Sequence, residues 1–428
     1  MTLAQLISRF VTAGILVLAG TQTLTAQSTP DSATAARVLA DVAYLADDAR
    51  EGRGVGTAGL DSAAAYVAAQ FAKAGLRPAG TDGYFQPFVI DSTAPGAAHA
   101  GLGGKAVKNV VGLLPGRGAL AGQVVVLGAH YDHLGLGGPG SLDPDSVGVV
   151  HNGADDNASG TAALLEAARI IAAREEQHHR TFVFVAFTAE ELGTIGSSYY
   201  VRNPARANRA TYAMINFDMV GRLRNDSLLV IGTGSAEEFS GLLDSLNADH
   251  GFSLTKTEDP WGPSDQTSFY GDKIPVVHFF TNTHTDYHRT TDDWDKINAE
   301  GVVRIASFAA DFAFALAMRR NQLAFVDVPR PPPPTRGGGY GAYLGTIPDM
   351  SGSPGGVRLT GVRAGSPAEK AGIASGDIIV QIGDHEVKNL YHMTDALRAH
   401  KPGDVVKVVV LRGDERLELT ATLGRRGG

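Results

Sequence analysis

Short apolar runs alternate with helix-like stretches through most of this chain, and the alternation limits the folds open to it. Each run is too short for a helix and is typical of a buried strand, whereas the intervening stretches place apolar residues at helical spacing. The strand-like runs are 109–114, 123–129, 181–187, 212–217, 227–231 and 274–280, and the clearest helix-like stretches are 60–74, 160–173, 236–249 and 299–318. This pattern predicts an α/β domain with a mixed, largely parallel central sheet flanked by helices. The runs 109–114 and 123–129 are linked too briefly for a crossover helix, so we expect them to form an antiparallel hairpin.

A proline- and glycine-rich break divides the chain. Residues 328–339 read VPRPPPPTRGGG, a composition that favours an extended spacer followed by a flexible one. We therefore expect a large domain over residues 32–327 and a small one over residues 340–424.

The first 26 residues have the layout of a secretory signal peptide. Arg9 precedes an apolar run over residues 10–20, and a short polar stretch ends at Ala26. The run is short for a bilayer-spanning helix. We expect residues 1–26 to be removed, leaving a secreted or periplasmic protein with no stable membrane anchor; an N-terminal helix of the mature fold is the alternative.

Composition narrows the chemistry. The chain has no cysteine, so any metal must bind to histidine and carboxylate side chains. The formal net charge of −8, without a dense run of lysine or arginine, argues against a nucleic-acid partner.

Histidine and acidic residues follow three of the predicted strands, and ligands gather at the carboxyl ends of strands in open α/β sheets. The residues are His130 and Asp132, then Glu190 and Glu191, then Asp218, and the loops at 152–157 and 284–288 could reach the same edge. Each group alone has an ordinary structural explanation, as a helix cap, an exposed first turn or a core imidazole. Together they supply the parts of a site for two divalent metal ions, including a bridging carboxylate and a separate base.

The sequence strings around these residues are specific. GAHYDHLG, NGADDNASGTA, FTAEELGTIGS, NFDMVGR and DYHRTTDD resemble the successive signatures of the two-zinc aminopeptidase family. That family includes bacterial leucyl aminopeptidases, aminopeptidase Y and, more distantly, glutamate carboxypeptidase. The resemblance covers residues 38–317 and implies the zinc-exopeptidase, phosphorylase/hydrolase-like fold.

The resemblance also implies a role for each site residue, with two zinc ions per chain. His130 and Asp218 would bind one zinc, Glu191 and His288 the other, and Asp155 would bridge them, with His284 as a second candidate for the place of His288. Glu190 would be the general base. Asp132 would hydrogen-bond the far nitrogen of His130 and fix its tautomer. The peptide bond between Asp155 and Asp156 would be cis.

One segment departs from the family pattern. Many relatives have Ser-Asp-His where this chain has Ser264-Asp265-Gln266, and the histidine of those relatives lies near the substrate. We expect Asp265, Gln266 and Tyr287 to lie near the substrate here.

The small segment resembles a PDZ domain of the kind attached to secreted bacterial proteases. The resemblance rests on the loop Tyr343, Leu344, Gly345 and Thr346 and on the string VRAGSPAEKAGIASGDIIVQIGDHEV. In this α+β fold the first loop binds a peptide carboxylate while the peptide adds a strand. A role in assembly or stability alone is the alternative.

These features predict a secreted zinc exopeptidase acting on peptides, most simply an aminopeptidase. Glutaminyl cyclase, which shares the fold but uses one zinc, is one alternative, and carboxypeptidase or dipeptidase activity is another. A receptor-like homologue without activity would lack metal ligands, and none of the implied ligands is missing.

Overall fold

The computed structural model describes residues 32–138, 140–205, 210–330, 342–350, 353 and 355–425. The expected signal peptide and most of the proline-rich spacer lie outside the described residues. The described residues form a large domain and a small one, each with its own hydrophobic core.

The large domain combines a central sheet with helices on both faces. Its strands are β1 (Arg77–Pro78), β2 (Phe85–Val89), β3 (Ala106–Leu114), β4 (Val124–His130), β5 (Thr181–Phe187), β6 (Thr211–Phe217), β7 (Ser227–Ile231), β8 (Ser253–Thr257) and β9 (Val276–Phe280). Its helices are α1 (Ser32–Leu45), α2 (Ala58–Lys73), α3 (Pro95–Ala100), α4 (Gly160–Ala173), α5 (Ile195–Arg202), α6 (Phe239–His250), α7 (Gln266–Gly271) and α8 (Ala299–Met318). Short helical turns complete it, among them Asp48–Arg53 and Ala154–Ser159.

The sheet is mixed, as the sequence predicts. Its order is β1-β3-β5-β4-β6-β9-β7-β8, with β2 paired to β3. Strands β5, β4, β6 and β9 run parallel to one another, so their carboxyl ends lie along one edge. β3 is antiparallel to β5, and β7 is antiparallel to β9.

The predicted hairpin between β3 and β4 is wrong, because β5 lies between them. Every residue of β4 is buried, which suits a central strand with parallel neighbours on both sides. On its other side β3 pairs with β2 and β1.

The last helix of the large domain is part of its core. Among the described residues, α8 is the one helix long and apolar enough to cross a membrane by length and composition. Most of it is buried against α1, α4 and α6, and this packing accounts for its apolar character.

The small domain is an antiparallel sheet with two short helices. Its strands are β10 (Ala342–Tyr343), β11 (Thr346–Pro348), β12 (Val357–Val362), β13 (Ile378–Ile382), β14 (His385–Glu386), β15 (Val405–Arg412), β16 (Glu415–Thr422) and β17 (Gly424–Arg425), and its helices are α9 (Pro367–Lys370) and α10 (Leu390–Arg398). The main sheet has the order β11-β12-β13-β15-β16, with β14 on β13, and β10 pairs with β17.

Candidate metal centre and active site

The parallel strands deliver the first group of ligating side chains. β4 ends at His130, and Asp218 directly follows β6. The His130 Nε2 atom lies 3.5 Å from Asp218 Oδ1 and 3.4 Å from Oδ1 of Asp156, which belongs to the turn before α4. The sequence therefore placed His130 and Asp218 correctly at one edge of the sheet.

A second group lies on the other side of Asp156. The Nε2 atom of His288 is 3.1 Å from Asp156 Oδ2 and 3.3 Å from Glu191 Oε2. His133 also joins this group, with its Nδ1 atom 2.8 Å from Glu191 Oε1 and 3.8 Å from Asp156 Oδ2. His133 was not among the residues predicted from the sequence, although it follows His130, the last residue of β4, by only three residues.

The two groups fit a pair of metal ions. The potential ligand atoms of His130, Asp156 and Asp218 lie within 4.8 Å of one another, as do those of His133, Asp156 and Glu191. Asp218 Oδ1 is buried without a hydrogen-bond partner among the described residues, as expected of an atom that is free to bind a cation. Imidazole nitrogen and carboxylate oxygen are the ligands that zinc takes in proteins without thiolates.

The shared carboxylate is Asp156, and the prediction of Asp155 as the bridging residue is wrong. Asp155 is fully buried and faces away from both groups. Its Oδ1 atom accepts hydrogen bonds from the Gly221 N–H at 2.6 Å and the Ser159 hydroxyl at 2.9 Å, and its Oδ2 atom lies 3.0 Å from His284 Nε2. Because its oxygens face these groups, Asp155 is turned away from a metal ion between His130 and Glu191. His284 belongs with Asp155, which leaves the metal-facing place to His288.

The cis peptide bond is displaced in the same way. It joins Asp156 and Asn157, not Asp155 and Asp156 as predicted. The prediction was wrong by one residue because two adjacent aspartates look alike in the sequence string.

Asp132 acts on a different group from the one predicted. Its carboxylate accepts hydrogen bonds from the N–H groups of Glu190 at 3.1 Å and Glu191 at 3.3 Å. The His130 Nδ1 atom lies 3.2 Å from the Asp132 carbonyl oxygen and 3.8 Å from its carboxylate. The backbone of Asp132 therefore orients His130, while its side chain holds the two glutamates.

A second buried aspartate fixes the turn that carries Asp156. Asp292 Oδ2 accepts hydrogen bonds from the N–H groups of Asp155 at 2.9 Å and Asp156 at 3.1 Å. Its Oδ1 atom accepts one from Arg222 at 2.8 Å. Asp292 thereby links the turn before α4 to the loop that carries His288.

Arg53 joins three segments around the site. Its guanidinium is fully buried and donates to the carbonyl oxygens of Leu45, Tyr131, Asn152 and Gly153, at 2.7–2.8 Å. Burial lowers its pKa to about 10, against nearby carboxylates that raise it. These bonds hold the exit of β4 against the turn that carries Asp156.

Glu190 differs from the neighbouring carboxylates in its affinity for a proton. Burial raises the pKa of Glu190 well above its usual value, and Asp265, Glu191 and Asp218 raise it further, against the lowering effect of His130. A carboxylate that holds a proton this readily suits proton transfer at neutral pH.

The carboxylates of the second group remain ionised. Burial opposes their charge, but His288 and His133 lower the pKa of Glu191 to about 2. Contacts with His130 and His288 hold the pKa of Asp156 well below its usual value. Ionised carboxylates are the form that binds a cation.

Strained backbone marks the same sheet edge. Ala189, Met219 and His288 have φ angles of 56°, 52° and 56°, in the left-handed region that non-glycine residues rarely adopt. Each is adjacent to a ligating or proton-transferring side chain, or is one itself. Such outliers concentrate at functional sites, where the surroundings enforce them.

Of the three residues expected near the substrate, only Tyr287 lines the cavity in front of the two groups. Asp265 and Gln266 are fully buried behind it. The Asn216 side-chain amide lies 3.3 Å from the Gln266 Oε1 atom and donates to it, which keeps Gln266 off the cavity wall. Burial raises the pKa of Asp265 to about 7.

The cavity in front of the metal centre has a volume of about 730 Å³. Its inner wall contains the ligating residues and Glu190. Its outer wall belongs to the small domain and includes all four residues of the loop 343–346. We call this space the shared cavity.

Comparison with known proteins agrees with both domains. Residues 109–313 match peptidase family M28, and residues 342–423 match the PDZ domain. Leucine aminopeptidase 1 of Uncinocarpus reesii is 28% identical over 225 residues, which are 49% of this chain and 54% of the relative. The chain thus spans about half the length of the curated relatives it matches.

Two solved structures share the fold. A zinc aminopeptidase from Bacillus subtilis aligns with a TM-score of 0.54 at 18% identity, covering 68% of this chain and 98% of that one. Glutaminyl cyclase from Porphyromonas gingivalis aligns with a TM-score of 0.53 at 18% identity, covering 65% and 96%. The large domain is therefore similar to peptidase family M28, and the small domain is similar to a PDZ domain.

Proposed function

We propose that this chain is a zinc-dependent aminopeptidase that removes N-terminal residues from peptides, with two zinc ions per chain. The observation that carries the proposal is Asp156, whose two carboxylate oxygens face two separate groups of ligating side chains. A carboxylate shared in this way is the arrangement that two-metal hydrolases require. His130 and Asp218 would hold one ion, and His288 and Glu191 the other, with His133 beside the second.

Glu190 is the base of the proposed reaction. Two zinc ions, when bound, would activate a water molecule and polarise the scissile carbonyl. Glu190 lines the shared cavity beside both groups and has a raised pKa, so it can take a proton from the attacking water and pass it to the leaving amine. The Asp132 carboxylate positions Glu190 by accepting a hydrogen bond from the Glu190 backbone N–H.

The cavity wall favours an apolar first residue. Met219, Ile231 and Phe280 form a small apolar cluster that lines the cavity next to the metal centre. A leucine-like side chain would be removed from water there, which favours its binding. The named relative is a leucine aminopeptidase, in agreement with this wall.

The test is hydrolysis of a panel of aminoacyl-nitroanilides by the purified protein, with a measurement of bound zinc. We expect leucyl-nitroanilide to be cleaved, activity to be lost with a chelator and restored with zinc, and a content close to two zinc per chain. Absence of hydrolysis by the zinc-loaded protein would contradict the proposal.

Glutaminyl cyclase is the second candidate, favoured by the shared fold. A content near one zinc per chain, with cyclisation of N-terminal glutamine, would support it over hydrolysis. Release of C-terminal residues or cleavage of dipeptides alone would instead indicate the carboxypeptidase or dipeptidase alternative.

We also propose that the protein is exported. The support is the pattern of Arg9 and the apolar run over residues 10–20. Recovery of a mature chain beginning just after Ala26 would agree with export.

A further inference from the structure

The PDZ domain forms part of the wall of the cavity that contains the candidate metal centre. Its first loop and helix α10 line the same space as the ligating residues. The outer wall of the cavity therefore belongs to the PDZ domain and faces the site where an N-terminal residue would be cleaved.

Specific contacts hold this arrangement. The Thr283 hydroxyl donates to the Pro348 carbonyl at 2.7 Å, and the Asn282 side chain donates to Asp349 at 2.7 Å. Met350 packs on the apolar cluster beside the metal centre. Because Asn282 and Thr283 precede the loop that carries His288, the PDZ domain is held by the same segment that completes the metal centre.

The loop 343–346 has the form of a carboxylate-binding turn. Gly345 has a φ angle of 86°, a conformation that glycine adopts without strain. The carbonyls of Leu344 and Gly345 accept hydrogen bonds from the N–H groups of Ala368 and Arg363, both at 2.8 Å. The N–H groups of Leu344 and Gly345 make no hydrogen bond to another described residue, so they remain available to a ligand.

Charge and apolar surface complete this end of the shared cavity. Arg363, only 8% exposed, lines it and brings positive charge next to the loop. Leu390, Met393 and Leu397 of α10 line it at helical spacing. A peptide C-terminus would match both the positive charge and the apolar surface. Its carboxylate would lie at the loop, and its last, apolar side chain would pack against α10.

We infer that the shared cavity binds short peptides at both ends. The free amino end lies at the metal centre, and the free α-carboxylate of an apolar last residue lies at the N–H groups of Leu344 and Gly345 beside Arg363. This inference rests on the proposed aminopeptidase function and adds the substrate class. A peptide longer than the distance between the two ends cannot place both termini in these sites at once, so it loses one of the two interactions and is a poorer substrate.

The experiment compares peptides of two to ten residues that begin with leucine and end with leucine, each with a free or an amidated C-terminus. The zinc-loaded full-length protein is used, with leucyl-nitroanilide as the reference substrate. We expect amidation to lower kcat/KM for the best short peptide by about 10- to 100-fold, because it removes charge-assisted hydrogen bonds. We also expect kcat/KM to fall as the free peptides lengthen.

A pair of variants distinguishes a local effect of Arg363 beside the loop from a general effect of removing one positive charge. Arg363→Gln should bring the ratio of free to amidated kcat/KM towards one. Arg358→Gln is the matched control, because Arg358 is exposed on the neighbouring strand β12 and does not line the cavity. Thermal unfolding of both variants checks that they fold. If either variant does not fold, the comparison of free and amidated peptides with the unaltered protein still tests the inference.

The possible results distinguish failure of this inference from failure of the proposed function. Cleavage of the nitroanilide together with equal kcat/KM for free and amidated peptides would overturn the inference alone. Long free peptides cleaved as well as short ones would overturn it too. Failure to cleave the nitroanilide and every peptide would overturn the proposed function and this inference with it.

Discussion

At the scale of single residues, two adjacent aspartates have opposite surroundings. Asp156 faces His130 and His288, whereas Asp155 faces Gly221 and Ser159. Neutral asparagine at each position keeps the shape of the side chain and removes the charge, so the pair provides a matched comparison.

Asp156→Asn should lose bound zinc and lower kcat/KM for leucyl-nitroanilide by more than about 100-fold, since even residues behind the ligands cost 10–100-fold at metal sites. Asp155→Asn should keep its zinc and lose less than about 10-fold, because the amide oxygen can still accept from Gly221. Zinc analysis and steady-state kinetics check both. Zinc lost from Asp155→Asn but retained by Asp156→Asn would show that our assignment is reversed.

A second prediction at the scale of single residues concerns Glu190. Glu190→Gln should retain zinc and lower kcat by about 10²–10⁴-fold, because it removes the group that transfers the proton while leaving Glu191 in place. A zinc-loaded variant with unchanged kcat would exclude Glu190 as the base. Gln70→Glu, at a position on α2 away from the cavity, serves as a control for handling and zinc loading.

The buried guanidinium of Arg53 should matter for stability. Arg53→Ala leaves four carbonyl groups without their donor, so we expect the free energy of unfolding to fall by about 3 kcal/mol. Urea unfolding measures this. Arg50→Ala is the control, because the Arg50 guanidinium makes one hydrogen bond to the described residues, to the Tyr44 hydroxyl, and its loss should cost about 1 kcal/mol. Equal losses in the two variants would show that Arg53 is not a special link.

Sequence could predict which segments meet at the site, but not which of two neighbouring side chains faces inward. The ends of β4 and β6 fixed His130 and Asp218 at one edge, because parallel strands carry their ends to the same place. The orientations of Asp155 and Asp132 depend on the backbone of irregular turns, which no periodic pattern reveals. His133 was also not predicted, although it follows His130 by only three residues.

At the scale of elements, the pairing of β3 shows where local reasoning stops. The short link to β4 suggested a hairpin, yet β5 pairs with both strands. The predominantly apolar strands β4 and β5 are each buried along their whole length, and side-by-side pairing at the centre of the sheet places both away from water. A short link limits how far apart two consecutive strands can lie, but the burial of each strand determines which strands pair in the sheet.

In the PDZ domain, an ion pair that should respond to acid joins Asp377, the residue before β13, to Arg412 at the end of β15. Arg412 contacts buried Asp377 through two atoms, at 2.7 and 2.8 Å. Burial alone would raise the pKa of Asp377, but the hydrogen bonds from Arg412 and the Ala374 N–H outweigh it and lower the pKa.

Because the folded-state pKa is depressed, the stabilisation is fully present above the unfolded value of about 3.9 and is lost as pH falls below about 4. Asp377→Asn should lower stability near neutral pH by about 1 kcal/mol and flatten the acid dependence of this domain. Thermal unfolding between pH 3 and 7 checks both. An unaltered acid transition in the variant would assign that transition to other groups.

At the scale of the whole molecule, one hydrogen bond tests how firmly the two domains are joined. The Tyr391 hydroxyl of α10 donates to Asp259 of the large domain at 2.9 Å. Tyr391→Phe and Asp259→Ala each remove this bond, worth about 1 kcal/mol. Both should raise the relative kcat/KM for long peptides by about 2- to 10-fold, and the double variant should add little.

Tyr84→Phe is the control, because the Tyr84 hydroxyl donates to Leu76 within the large domain. It should leave the dependence on peptide length unchanged. The same change in length dependence in Tyr84→Phe as in Tyr391→Phe would mean that the effect does not arise at the domain interface.

The packing of α8 has a consequence for how the chain is made. This helix is the last of the large domain in the sequence, yet it packs on α1, the first, and on α4. During synthesis, the apolar faces of α1 and α4 therefore remain exposed until residue 318 has been added. Contacts between segments so distant in sequence also form slowly. The newly made chain consequently offers a 20-residue apolar helix and its uncovered partners to chaperones at the same moment, shortly before the PDZ domain begins to emerge.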